Sequence, residues 1–207
     1  MTAARTRDNA TMSSSSTRRG ATRQKLYEAA VTLIAEQGFS STTVEEIADR
    51  AGVAKGTVYY NFASKTELFE GLLRHGVGLL TDSLRGAAAD RPPLEALDAM
   101  VRAGLEFIAA YPSFAQLFVA ETWRTNRAWH DTLRLLRDEA VSVVADVLDD
   151  AVRQGELAPD LDTRLTASAL FGMVLVVALD WLAFQPERDI ADVHAALVRL
   201  LHGRISA

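Results

Sequence analysis

The 207-residue chain is 49% hydrophobic and 24% charged, contains no cysteine, and carries a formal net charge of −5. That apolar content supports the core of one large or two small domains and excludes disorder throughout, while the lack of cysteine excludes disulfides and thiolate-held zinc or iron–sulfur centres and fits a reducing cytoplasm. The charge is uneven: residues 1–20 hold Arg5, Arg7, Arg18 and Arg19 against Asp8 alone, a net of +3, residues 21–70 carry −2, and residues 71–207 carry −6, so any nucleic-acid contact must come from a small, well-placed surface.

Residues 1–20, ending in SSSSTRRG, hold too few large apolar side chains to build a core and read as a flexible basic arm. They lack the apolar stretch of a secretory signal, and Met12 within them is a second candidate start. A helical repeat then begins: Leu26, Ala29, Ala30, Leu33 and Ile34 recur at steps of three and four, and Gly38 marks a stop, giving a first helix over 22–37. Thr43 and Glu46 have the spacing of a capping box, and Val44, Ile47, Ala48 and Ala51 supply the inward face of a short second helix that Gly52 ends. A third short helix is expected over 54–62, and the pair across a tight corner forms a helix-turn-helix pattern. Ser64 and Glu67 repeat the capping signature and open a fourth helix through Leu68, Leu72 and Leu73.

At about 100° per residue, with Val58 at the buried centre of the third helix, Ala54 and Phe62 share its face, Gly56 and Tyr60 fall opposite, and Thr57 and Tyr59 lie on the flanks. The outward face thus carries a hydroxyl, two phenols and a gap at Gly56 that permits close backbone approach. Lys55 and Lys65 stand near two helix starts, where anions are favoured. By pattern alone a plain helical corner with exposed tyrosines is the competing, less favoured reading.

The stretch AAVTLIAEQGFSSTTVEEIADRAGVAKGTVYYNFASKTELFEGLL resembles the DNA-binding domain of the tetracycline-repressor (TetR) family, from the first helix into the fourth. The resemblance implies that Thr43 contacts phosphate, that Lys55, Gly56, Thr57, Tyr59 and Tyr60 form the DNA-facing part of the third helix, and that Lys65 anchors a phosphate. Asn61 stands where the family frequently has histidine or another aromatic residue and joins the DNA-facing set by position. Ala63 lacks the basic side chain that some members carry nearby. Ile47, Ala48, Val53, Val58 and Phe62 supply the buried set.

Past Leu80 the resemblance weakens. RGAAADRPP reads as a loop, Leu94, Leu97, Val101, Leu105 and Ile108 mark a helix over 94–110, and Tyr111-Pro112 ends it. A short and then a long helix follow, closed by Gly155, and no strand alternation occurs anywhere. TASALFGMVLVVAL, from Thr166 to Leu179, is uncharged. It is short for a membrane span, and a buried helix is the better reading. The last helix, with Val193, Leu197 and Leu200, covers one side of it and leaves the other for a second subunit. A homodimer is therefore expected through residues 162–184 and 189–203, as the TetR resemblance also implies. Met100, Phe107, Phe114, Phe118, Trp123 and Trp129 are candidate walls of the small-molecule cavity that the resemblance implies, with Gln116, Glu121 and Asn126 as nearby polar groups.

His75, His130, His194 and His202 are scattered, and no hydrolase, phosphate-loop or metal motif accompanies the His130-Asp131 pair. No catalytic residue, metal or cofactor is expected. The expectation is an all-α cytoplasmic protein with an arm over 1–20, a helix-turn-helix domain over 21–80 and an effector-binding and dimerisation domain over 81–207. It is read as a transcriptional regulator that binds double-stranded operator DNA, most simply a repressor released by a small apolar or amphipathic effector. A helical dimeric scaffold and an enzyme are the competing readings.

Overall fold

The computed structural model describes the backbone of residues 4–122 and 129–203, and side chains from residue 19 onward within those ranges. Among them lie nine helices and no strand. The contacts divide the chain into two units, residues 1–72 and 73–207, so the boundary falls inside a helix and eight residues before the expected junction at 80.

The first unit holds α1 (Ala4–Gln37), α2 (Val44–Ala51), α3 (Lys55–Asn61) and the start of α4 (Lys65–Ala88). Leu26, Ala30 and Ile34, spaced by four, lay one stripe of α1 into a core shared with Ile47, Ala48, Val58, Phe62, Leu68 and Phe69, all at most 2% exposed. The Tyr27 and Phe62 rings meet at 5.6 Å, and Phe39 and Phe69 at 5.1 Å. Gly52, at φ 67°, sends its N–H back to Ala48 and Asp49 and so turns the chain from α2 toward α3. Where a flexible arm is expected, the backbone is helical and α1 is continuous from Ala4. The segment before Gly20 has no proline or glycine to interrupt a helix, and its polarity bears on burial alone.

The second unit continues α4 and adds α5 (Pro93–Ala110), α6 (Pro112–Thr122), α7 (His130–Arg153), α8 (Thr163–Phe184) and α9 (Ile190–Leu201). Helix α5 is central and packs on α6, α7, α8 and α9, with Ala96, Leu97, Met100, Val101, Gly104, Leu105, Phe107 and Ile108 buried. At Tyr111-Pro112 the chain bends by 99° into α6. Proline cannot accept the α5 geometry from its predecessor, yet it is well suited to the first turn of α6. Asp162 and Asp189 cap α8 and α9 through Leu165 N–H and Ala191 N–H. His194 Nε2 of α9 lies 2.9 Å from the Asp98 carbonyl, and Nε2 of His202, at the C-cap of α9, lies 2.9 Å from the Asp98 carboxylate, tying the last helix to α5.

Helix α8 is strongly apolar yet thinly covered. By length and composition it could cross a membrane, yet only 22% of its apolar window is buried. Ala167, Leu170, Ala178 and Trp181 face inward, while Leu165, Val176 and Phe184 are each more than 60% exposed.

Candidate nucleic-acid interface and apolar cavity

Helix α3 owes its two faces to its sequence. Val58 and Phe62, one helical turn apart, are each 2% exposed, while Tyr59 and Tyr60 are 51% and 74% exposed. Ala54, expected on the buried face, is exposed, because it is the N-cap with an extended backbone and stands outside the helical wheel. Gly56 is open: a Cβ built there would meet nothing within 4 Å. Thr57 is half-buried on the flank. Lys55 pairs with Glu45 of α2, an exposed ion pair, which raises the lysine pKa and lowers that of the carboxylate through their shared hydrogen bond. Because both side chains are about half exposed, a phosphate can compete with Glu45 at little cost.

Other expected contacts are differently disposed. The Thr43 hydroxyl donates to Glu46 Oε2 at 2.8 Å and accepts from Glu46 N–H at 3.2 Å, while Thr43 N–H donates to the same carboxylate at 2.7 Å. Both Thr43 donors thus close the capping box, and a phosphate would have to displace Glu46 to reach them. Lys65 Nζ donates to the Phe39 and Thr42 carbonyls at 2.8 and 2.7 Å and lies 4.3 Å from the Phe39 ring centre, which leaves one ammonium hydrogen for any other acceptor. Burial lowers its pKa, opposed by the nearby Glu46 charge. Asn61 is a correction: it is 7% exposed, its amide donates to the Thr57 carbonyl at 2.8 Å, and its buried Oδ1 lacks a hydrogen-bond partner. Counted from Val58, position 61 falls about 60° from the buried centre, so the wheel itself points it inward.

The fold also brings in a residue counted only within the arm. The Arg19 guanidinium lies 5.5 Å from the Tyr60 ring centre, and Arg23 lies 4.6 Å from that of Phe62. Both stand on the α1 flank nearest α3, spaced by one turn. Arg5, Arg7 and Arg18 lie outside the described side chains.

In the second unit, α4, α5, α6, α7 and α8 line an apolar cavity of about 70 Å³ that is open on one side. Its 18 lining residues are all hydrocarbon, aromatic, thioether or glycine. Met100, Phe107, Phe114 and Phe118 are among them as expected, together with Leu80, Leu84 and Phe171. Trp129 is not. It is buried elsewhere, its indole N–H donating to the buried Glu121 at 3.1 Å. Gln116 is exposed, and Trp123 and Asn126 lie outside the described residues.

The description "Bacterial regulatory proteins, tetR family" matches residues 26–72, and "Tetracyclin repressor-like, C-terminal domain" matches residues 90–202. The chain belongs to the TetR family. It is therefore a DNA-binding transcriptional regulator, in a family that is not enzymatic. The transcriptional repressor KstR2 of Mycobacterium tuberculosis is 32% identical over 69% of this chain and 72% of its own. Among solved structures, the fatty acid degradation regulator FadR from Bacillus halodurans has a TM-score of 0.80 at 25% identity, over 89% of this chain and 96% of its own. FadR from Bacillus subtilis in complex with stearoyl-CoA has a TM-score of 0.78 at 22% identity, over 88% and 98%, a likeness of fold. What the TetR pattern left unread was the cavity's other walls. Leu80, Leu84 and Phe171 look like ordinary core in sequence, and only the packing of four other helices around α5 distinguishes a wall from a core.

Proposed function

We propose that the chain is a homodimeric repressor that acts in the cytoplasm and leaves its operator when a ligand with a long hydrocarbon part enters the cavity. The observation that carries this reading is the lining: among its 18 residues no side chain offers a charge or a strong hydrogen bond, so affinity there must come from apolar burial. The name of the Bacillus halodurans relative agrees with such a ligand, and that of KstR2 with repression.

Lys55, Gly56, Thr57, Tyr59 and Tyr60 form the base- and phosphate-contacting surface in this proposal, with Arg19 beside Tyr60 and Thr43 and Lys65 at its edges. The second subunit covers α8 and α9, where Leu165, Val176, Phe184 and Leu200 are otherwise left in water. That contact, rather than a bilayer, accounts for the apolar α8. The decisive experiment enriches genomic fragments on the pure protein, sequences them, and titrates the recovered complex with palmitic acid and palmitoyl-CoA. Release by either supports the proposal. A complex that keeps its DNA at saturating amounts of both, or a protein that enriches no defined fragment, overturns it.

A further inference from the structure

Helix α4 presents Leu84, Leu80 and Gly76 to the same side at four-residue steps. The first two line the cavity, and at the third the ring of Phe114, from α6, occupies the place a side chain would take. A Cβ built on Gly76 would sit 2.7 Å from Phe114 Cδ2 and nearer still to Cε2 and Cζ, well inside contact distance for carbon atoms. Room around the Phe114 ring is further limited by Phe107, edge-on to it at 6.1 Å, and by Phe118 at 6.2 Å. The space left to the ring is the cavity that it already lines. Glycine inside a helix is disfavoured relative to alanine, so this position trades helix stability for a notch. Gly78, two residues farther along α4, has nothing within 4 Å of an added Cβ and shows that the notch belongs to Gly76 alone of the two.

We infer that Gly76 is a specificity-determining residue: by seating Phe114 against the α4 backbone it keeps this end of the cavity open and so sets the length of hydrocarbon chain the cavity accepts. The inference rests on the proposed apolar ligand and adds to it a residue that controls which chain lengths bind. Any side chain at 76 would push the Phe114 ring inward and shorten the space.

The test measures binding of saturated fatty acids, from octanoic to stearic acid, by calorimetry. Gly76→Ala is expected to lose affinity for stearic relative to octanoic acid by about tenfold or more, as steric exclusion of a few methylenes implies. Gly76→Ala combined with Phe114→Leu restores the long chains, and Gly78→Ala leaves the profile as it was. Phe114→Leu alone, which needs no tolerance of a new Cβ, is expected to extend the profile toward longer chains. Identical chain-length profiles in the wild type, folded Gly76→Ala and Phe114→Leu would overturn the inference while leaving the ligand proposal standing. A wild-type protein that binds none of the acids overturns both.

Discussion

Val58 and Tyr60 are two positions apart on a seven-residue helix and face opposite media. Tyr60→Ala removes a 74% exposed ring and is expected to leave melting unchanged while weakening operator binding by about 1 kcal/mol or more. Val58→Asp places a charge at a site 2% exposed and is expected to unfold the first unit, at a cost of several kcal/mol. Circular dichroism separates the two. The capping box gives a second pair. Thr43→Ala is expected to lower stability by about 1 kcal/mol. Glu46 has its pKa lowered chiefly by the Thr43 N–H and hydroxyl. Its contribution is therefore present above the ordinary carboxylate range and lost as pH falls through its depressed folded value. Glu46→Gln should show a shallower acid limb than wild type in melts followed down the pH scale.

The ends of most helices were legible because the signals are local: Gly38 and Gly52 stop helices in left-handed conformations, Thr43 and Ser64 start them, and Pro112 divides α5 from α6. The start of α1 is not legible in the sequence, because polarity bears on burial and says nothing against a helix. Asn61 enters the DNA-facing set through the family pattern, whereas its angle to Val58 points inward and its side chain is buried. Trp129 lies outside the cavity lining, and an aromatic residue at a helix start looks the same in sequence whether it lines a void or bonds a buried carboxylate. The new position of Arg19 sharpens one expectation. Deleting residues 2–19 removes four arginines, including the one beside Tyr60, and should weaken binding to all duplexes and flatten the dependence of log K on log salt. Binding isotherms at several salt concentrations check this, and equal slopes would place the segment away from DNA.

At the scale of the molecule, the proposed dimer rests on the exposed apolar residues of α8. Phe184→Glu puts a charge on a 77% exposed ring position, so the monomer should tolerate it while a dimer built on α8 and α9 should weaken markedly. Sedimentation velocity should show a shift toward monomer, and operator affinity should fall with it, since two recognition helices must reach major-groove faces about 34–36 Å apart or a multiple of that. Linkage gives a companion expectation. If palmitoyl-CoA weakens operator binding, operator must weaken palmitoyl-CoA binding by the same factor, which calorimetry with and without the enriched fragment measures directly.

The division of contacts between Leu72 and Leu73 falls inside the unbroken helix α4, and that has a consequence for how such a chain can be recombined. A loop junction absorbs added or lost residues, whereas a helical one counts them: a single inserted residue turns everything beyond it by about 100° and moves it by about 1.5 Å. Seven residues, close to two full turns, nearly restore the angle but lengthen the rod by about 10 Å. Grafting a foreign sensing unit onto this DNA-reading unit is therefore a question of rotational phase before it is one of sequence, and the grafts that preserve signalling should recur with the period of the helix.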